Sequence, residues 1–559
     1  MQTYNDYPRP QLVRDSYICL NGEWDYAIRK EDTIPAEWDG KILVPYSPEA
    51  ELSGVNKQIQ PNEWLFYKLE LNIPSDFIKD KVFLHFGAVD QIAEVFINGC
   101  LVGKHIGGYL PFSFDIKPYL QDKNTLIVRV KDYSDTSYYS RGKQKLKRGG
   151  IWYTAQAGIW MPVWMESVNE GYVESIKITP DVDNSIVRIK VNTISGTAVI
   201  TMDEDSKEFK TKDELILKIE NPILWDVDNP YLYHFTISTN TDKVSSYFAM
   251  RKISQSKDEN GHLRFELNNK RIFVKGTLDQ GYYKKSLLTP TCDEDYIKDI
   301  LMLKNMGYNT IRKHIKIESL RYYYLCDKLG MMVWQDFVNG GEKYKFLNIS
   351  LPLITKHHAK DNRYRKFSRG NEQGRNEAEH EFIDTIHLLY NSPCIYLWTI
   401  FNEGWGQFDA QRIYKQMKII DKTRLYDHAS GWHDQDVSDI KSLHIYWKKL
   451  YMPKKKKIKN RIVAVTECGG YALAIKGHEF TKKGSFGYTK IKNSDELYTK
   501  YKDFVEKQVI PLINKGLSGF IYTQTSDVED EVNGLVTYDR EIVKIEVDKM
   551  KEINDRCKL

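Results

Sequence analysis

Long apolar runs are missing from this 559-residue sequence, and so is any one-sided charge. No stretch reaches the roughly 18 apolar residues that cross a bilayer, so no membrane partner is expected. Met1-Gln2-Thr3-Tyr4-Asn5-Asp6 offers neither a basic nor an apolar leader. The net charge is +5, from 81 basic against 76 acidic residues, too near balance for a nucleic-acid partner. The dense basic run Lys454-Lys455-Lys456-Lys457 follows Met452-Pro453 and reads as a solvated loop. Cysteine is scarce: seven residues, an odd number without paired spacing. That argues against a disulfide framework and, with the leader lacking, makes the reducing cytoplasm the expected location. Metal and cofactor signatures are lacking as well. There is no His-Glu-x-x-His and no glycine-rich phosphate turn, and His357-His358 and His428/His433 lack ligand spacing; no metal and no cofactor is expected. No Gly-x-Ser-x-Gly elbow exists. Cys468 has no adjacent base to activate it.

What is present is length and aromatic residues. A chain this long exceeds one hydrophobic core and reads as about three domains. Aromatics make up 13%, including 37 Tyr and 12 Trp, a supply that serves cores and sugar-stacking faces alike. Residues 1–168 read as all-β, with strands over Trp64–Ile73, Lys81–Phe86, Ala93–Ile97 and Thr125–Val130 and a hairpin turn at Asn98-Gly99. The economical architecture is a β-sandwich. Residues 169–255 continue with strands over Val173–Ile178, Ile186–Val191, Thr197–Met202, Leu215–Ile219 and Tyr233–Ile237, enough for a small Ig-like sandwich.

The pattern changes in residues 256–559. Eight strand-like runs begin at Arg271, Thr310, Met331, Ile395, Leu425, Ser442, Ile462 and Gly519. Amphipathic stretches separate most of them: Asp293–Met306, Leu320–Leu329, Asn376–Tyr390, Ala410–Ile420 and Asp495–Asn514. This alternation predicts a (β/α)8 TIM barrel, with a doubly wound open sheet as the alternative. Alternation fails between the fifth and sixth runs, where no helix is evident near Gly431–Ser438.

A barrel places its site at the C-terminal ends of its strands. The fourth run ends in Asn402-Glu403 and the seventh in Glu467. Carboxylates directly after such apolar runs are costly unless exposed or paired. Two of them across a barrel mouth suit glycoside cleavage, in which one carboxyl protonates the leaving oxygen and the other attacks or activates water. Arg312 and His314 end the second run, His444 and Tyr446 the sixth, Asp279 follows the first, Asp336 ends the third and Gln524 the eighth. Arg312 could hold the nucleophile anionic, and Tyr446 could donate to it.

These residues resemble glycoside hydrolase family 2, the β-galactosidase, β-glucuronidase and β-mannosidase family. The resemblance runs over nearly the whole chain: Leu20-Asn21-Gly22-Glu23-Trp24, Val95-Phe96-Ile97-Asn98-Gly99, Gly107-Gly108-Tyr109, Gly149-Gly150-Ile151-Trp152-Tyr153, Arg312-Lys313-His314, Trp398 to Trp405 and Thr466-Glu467-Cys468-Gly469-Gly470. It implies a multidomain fold: an N-terminal jelly roll, an Ig-like β-sandwich and a TIM barrel. It also implies a retaining mechanism with Glu403 as acid/base, Glu467 as nucleophile and Asn402 on the sugar 2-hydroxyl. The partner is then an oligosaccharide or small glycoside, and a homo-oligomer is compatible. Departures from the family pattern exist. Leu388-Leu389-Tyr390-Asn391-Ser392-Pro393 replaces a basic stretch, and Val532-Asn533-Gly534-Leu535 lacks the Asn-x-Lys of family glucuronidases. The barrel is the last domain expected. The first expectation is an exo-acting β-galactosidase. Alternatives are a β-glucuronide, β-galacturonide, β-mannoside or α-L-arabinopyranoside glycone, transglycosylation, or a non-catalytic sugar binder on the same scaffold. The Lys- and Arg-rich loop Asn339–Asn376 is expected to be either a specificity element or a disordered connector.

Overall fold

A computed structural model describes residues 6–349, 351–355, 357–481 and 485–559. The leader reading of residues 1–5 lies outside the described residues. Among the described residues no helix is long and apolar enough to cross a membrane.

The N-terminal unit is a sandwich of two antiparallel sheets. One has six strands, ordered Gly40–Val44, Gly22–Arg29, Trp64–Leu71, Asn124–Lys131, Ile92–Ile97, Cys100–Ile106. The other has four: Tyr17–Cys19, Val163–Val168, Lys81–Phe86, Phe112–Asp115. Period-two alternation turns Leu126, Val128 and Val130 inward with Val95, Ile97, Leu84 and Met165. At the expected hairpin, Asn98 and Gly99 take φ of 51° and 80°, the left-handed pair that joins twisted strands with two residues.

The middle sandwich packs a three-stranded sheet (Ser175–Asp181, Ile186–Asn192, Leu215–Lys218) on a four-stranded one. The second sheet contains two strands that the sequence reading lacks, Asp205–Lys210 and Lys243–Phe248. Asp205–Lys210 is an almost wholly exposed polar edge, so it carries no hydrophobic alternation to read.

All eight expected barrel strands form: β1 Val274–Asp279, β2 Thr310–Lys313, β3 Met332–Asp336, β4 Ile395–Thr399, β5 Leu425–Asp427, β6 Ile440–Ile445, β7 Ile462–Gly469 and β8 Leu517–Thr523. They are parallel, in the order 5-4-3-2-1-8-7-6. Pairing of β1 with β8, Val274 opposite Gly519, joins the first strand to the last and, with β5 and β6 brought side by side, makes a near-closed barrel in place of the open doubly wound alternative. β5 and β6 share no ladder. They meet where the Asp439 N–H donates to Tyr426 O (3.1 Å) and the Tyr426 N–H to Asp439 Oδ2 (2.9 Å). No helix intervenes there, as the sequence indicates.

Around the barrel lie α1 Asp293–Asn305, α2 Leu320–Leu329, α3 Glu372–Leu389, α4 Ala410–Ile420, α5 Ser494–Phe504 and α6 Val547–Asn554. Asn371 and Asn493 cap α3 and α5 by accepting from the N–H groups of Gly374 and Glu496. α5 widens into a π-turn over Val505–Val509 before Pro511, whose missing N–H spares one helical hydrogen bond. A small sheet, Ile253–Lys257, Leu263–Leu267 and Lys270–Ile272, plugs the barrel floor, with Phe265 against Trp334 and Tyr396.

One loop of the N-terminal unit leaves the sandwich and crosses the barrel mouth. The Arg141 and Gly142 N–H groups donate to Asn339 O beyond β3 (2.9 and 3.0 Å). Arg148 pairs with Asp530 beyond β8 (2.8 Å), and the Thr154 N–H donates to Glu529 (3.1 Å). The 339–376 loop is not a connector over its described part. Asn348 O accepts from His433 (2.7 Å), and Arg369 donates to carbonyls of Gly406, Tyr138 and Gly374. Residues 350 and 356 of that loop lie outside the described residues.

Candidate active site

The C-terminal ends of β4, β6 and β7 bring Glu403, His444 and Glu467 together. One oxygen of each carboxylate and a His444 nitrogen lie within 4.8 Å of one another. β-Bulges at Leu443/His444 and between Val465 and Cys468 re-aim these side chains toward the axis. Glu403 has a left-handed φ of 50° and is held at both ends of its backbone. Its N–H donates to Ser430 O, and its carbonyl accepts from Trp432 Nε1 (both 2.9 Å). A non-glycine residue is kept in that conformation only where its surroundings fix it.

The two carboxylates have different neighbours. Glu467 Oε1 accepts from Arg312 Nη1 (3.2 Å), and Oε2 accepts from the Tyr446 hydroxyl. Arg312 is itself gripped by Asp336 through two hydrogen bonds (3.0 and 2.9 Å) and donates to Asn402 Oδ1 (2.9 Å). Among the described residues Glu403 Oε1 bonds His444 Nδ1 (2.9 Å), a nitrogen that also lies 3.5 Å from Glu467 Oε2, while His444 Nε2 faces Ser430 Oγ (2.9 Å). Tyr446 stacks on Tyr488, ring centroids 3.6 Å apart.

These surroundings push the two acids in opposite directions. Burial, then the charge of Glu467, raises the Glu403 carboxyl above its ordinary value, with His444 opposing. Burial would also raise Glu467, but His444 and Arg312, with His314 and the Tyr446 hydroxyl, outweigh it and hold it at about 2. Burial lowers His314 to about 4 despite its bond to Asp336 (2.8 Å), so its imidazole is neutral near pH 7. The site therefore keeps one protonatable and one anionic carboxyl side by side.

Of the residues singled out in the sequence, Asn402, Arg312, His444 and Tyr446 touch the carboxylate pair or its immediate partners. His314 connects to it through Asp336. Asp279 and Gln524 make no bond to the pair. Asp279 is paired with Lys313 (2.5 Å), and Gln524 bonds Gln280 and Asn533 (both 2.8 Å). Both are barrel-end residues spent on neighbouring strands. Asp336 carries more than its strand-end position alone suggests, since it fixes both Arg312 and His314.

Trp152 is a site neighbour absent from the expected set. It packs against Trp405 (5.2 Å), whose ring faces His314 (6.1 Å). It comes from another folding unit, so no strand-end rule of the barrel could find it. A cleft of about 720 Å³ runs between its loop and residues 342–349, lined in part by Tyr138, Arg141, Trp152 and Tyr344.

Two groups among the described residues have metal-ligand spacing: Glu403, His444 and Glu467, and the partly exposed His478, Asp539 and Glu541. In the first, Glu467 is already compensated by Arg312 and Tyr446, and His444 Nδ1 by Glu403, so the donors are engaged within the protein.

Comparison with known proteins gives three matches in chain order. Residues 18–160 match the glycosyl hydrolases family 2 sugar binding domain, residues 171–251 the glycosyl hydrolases family 2 model, and residues 260–473 the family 2 TIM barrel domain. A β-galactosidase of Thermoanaerobacter pseudethanolicus is 23% identical over 380 residues, 64% of this chain and 46% of that protein. The chain spans about half the length of curated relatives that it matches. The same fold occurs in a β-galacturonidase from Eisenbergiella tayi solved with galacturonate (TM-score 0.72, 17% identity, 98% of this chain and 99% of that one). It also occurs in a β-D-glucuronidase of Dictyoglomus thermophilum (TM-score 0.76, 17% identity, 98% of each chain).

Proposed function

The chain belongs to glycoside hydrolase family 2, and from that premise we propose that it is a retaining, exo-acting β-glycosidase with Glu467 as nucleophile and Glu403 as acid/base. The observation that carries this reading is the pair itself: two buried carboxyls with oxygens within 4.8 Å, one held anionic and the other raised. Retaining enzymes hold their carboxyls about 5–5.5 Å apart, and inverting ones leave about 6.5–9.5 Å for a water. Glu467 attacks the anomeric carbon from one face while Glu403 protonates the departing oxygen. Glu403, then ionised, takes a proton from the water that releases the sugar from Glu467. An acceptor sugar in place of that water gives transglycosylation from the same intermediate.

Arg312 and Tyr446 keep the nucleophile ionised and fix its rotamer. Asn402 Nδ2 is buried without a protein partner, which suits donation to the 2-hydroxyl. A sugar binder gains nothing from one raised and one depressed carboxyl held against each other, so the pair favours catalysis. The reacting centre and 2-hydroxyl are common to every β-hexopyranoside with that hydroxyl equatorial. The choice between the galactoside expected from the sequence and a hexuronide falls to residues that meet the rest of the ring. Relatives carry both kinds of name.

The test is covalent trapping with an activated 2-deoxy-2-fluoro-β-glycoside, followed by peptide mass spectrometry. The sugar mass is expected on the peptide containing Glu467 and absent in Glu467→Gln. A label on another carboxylate, or a first-formed product of inverted configuration by NMR, would remove the mechanism.

A further inference from the structure

Five lysines are buried among the described residues: Lys131, Lys143, Lys313, Lys316 and Lys544. Four have oxygen partners for their ammonium groups. Lys131 donates to Glu63 O, Lys313 to Asp279 and Glu318, Lys316 to Glu318 and two carbonyls, and Lys544 to Asp527 and two carbonyls. Lys143 makes no hydrogen bond or ion pair through its ammonium among the described residues, although only 6% of the residue is exposed. Its Nζ lies over the rings of Tyr153 (5.5 Å) and Trp405 (5.7 Å), whose π-faces attract the cation. An ammonium mostly enclosed by protein, with no counter-ion of its own, is open to an incoming anion. A fold keeps one where something else supplies the anion.

The location of Lys143 says what that anion is. Trp405 is two residues from Glu403, and its ring faces His314. The Lys143 charge acts on both Glu403 and His314. Its backbone is fixed from both sides. The carbonyl of Lys143 accepts from the Tyr153 N–H (3.0 Å), and the N–H groups of Arg141 and Gly142 donate to Asn339 O. The next side chain, Gln144, bonds Asp90 (2.7 Å) and Tyr109 (2.9 Å). This anchoring fixes the backbone from which the ammonium reaches Trp405 beside the site. Trp405 Nε1 and Asn339 Nδ2 are buried donors without a partner among the described residues. Asn402 Nδ2 is a third such donor, beside the carboxylate pair. A neutral sugar hydroxyl, both donor and acceptor, does not require such a set; a carboxylate, acceptor only, does. A phosphate dianion would call for more than one cation.

Resting on the glycosidase reading above, we propose that Lys143 is a specificity-determining residue that receives the carboxylate of the sugar, so that the glycone is a β-linked hexuronic acid. This cation arrives from the N-terminal sandwich, not from the segment after β8 where the Asn-x-Lys pattern is lacking.

The test compares p-nitrophenyl β-D-glucuronide, β-D-galacturonide, β-D-galactoside and β-D-galactoside 6-phosphate on the whole chain and on Lys143→Gln and Lys143→Arg. The unsubstituted protein is expected to prefer one uronide. Loss of a buried charge partner by Lys143→Gln should lower the uronide-to-galactoside ratio of kcat/KM by about 100-fold, chiefly through KM. Lys143→Arg should restore part of it. Preference for the galactoside or the 6-phosphate overturns the proposal. So does an equal loss on all substrates, which would make Lys143 a positioning residue for Glu403. If no aryl glycoside turns over, calorimetry with free glucuronate, galacturonate and galactose decides. Uronate binding that is lost in Lys143→Gln supports the assignment, and equal binding of galactose overturns it. Normal turnover in Glu467→Gln would sink the mechanism instead, independently of the Lys143 result.

Discussion

At the scale of single residues, two glutamates of the same chemistry are set apart by what touches them. The depressed Glu467 stabilises the fold above its ordinary 4.5, and that contribution is lost as pH falls through about 2. The shift corresponds to roughly 3 kcal/mol at neutral pH. The raised Glu403 behaves oppositely. Its favourable state is the protonated one, fully present below 4.5 and lost as pH rises through its folded value. Glu403→Gln is therefore expected to raise the melting temperature at pH 7. Glu467→Gln should lower it, because Arg312 loses a charged partner in a buried site. Calorimetry of both variants checks the signs, and a matching shift in the two would contradict the assigned environments. The stabilised Glu403 variant would be inactive, the usual exchange between stability and function.

At the scale of elements, β7 is built to present Glu467. Its inner neighbour Thr466 passes its carbonyl to Arg312 (3.0 Å), and the bulge beyond Val465 turns the glutamate into the mouth. Two residues on, Gly469 has φ of 85°, and a Cβ there would lie 2.3 Å from the Tyr522 ring of β8. Gly469→Ala must displace Tyr522 or the strand, with an expected cost of about 1–3 kcal/mol in stability. Because the strain falls beside the nucleophile, kcat/KM should fall about 10-fold or more, of the size expected from a small misplacement. A thermal melt and an activity assay check this; a variant with unchanged values for both would show that β7 tolerates the shift. The strands themselves were legible because buried parallel strands read as apolar runs ended by polar residues. The polar edge Asp205–Lys210 and the terminal helix α6 were not, the first because it sets a single apolar residue, Phe209, against the core and the second because its apolar face is short.

At the scale of the whole molecule, each sandwich has a core of its own, and both also give residues to the core of the barrel. Tyr109, Tyr153 and Trp160 of the first sandwich and Trp225 and Ala249 of the second belong to the same buried cluster as the barrel residues Ile311, Trp334 and Phe520. Polar ties reinforce it. Trp225 Nε1 donates to Asp327 O (2.7 Å), and Tyr247 donates to Asp327 Oδ2 (2.8 Å). Interfaces this apolar couple domains, where looser ones let them move or melt alone. Scanning calorimetry is expected to give one cooperative transition. Two well-separated transitions, the first removing only the sandwiches, would show that the shared core does not couple them. The coupling serves the site, since Trp152 and Lys143 come from a unit that carries neither carboxylate.

The sequence by itself determined the order of β and β/α segments and the two glutamates, because hydrophobic period and strand ends are local properties. It also carried Arg312, Tyr446 and His444 as strand-end residues of the same face. Tertiary structure decided which of these residues meet. It spent Asp279 and Gln524 on neighbouring strands, made Asp336 the clamp of Arg312, and delivered an unpaired lysine from a distant sandwich. Those outcomes depend on contacts between residues far apart in the chain, up to 262 positions for Lys143 and Trp405. Only closure of the barrel and docking of the first unit bring such residues within reach.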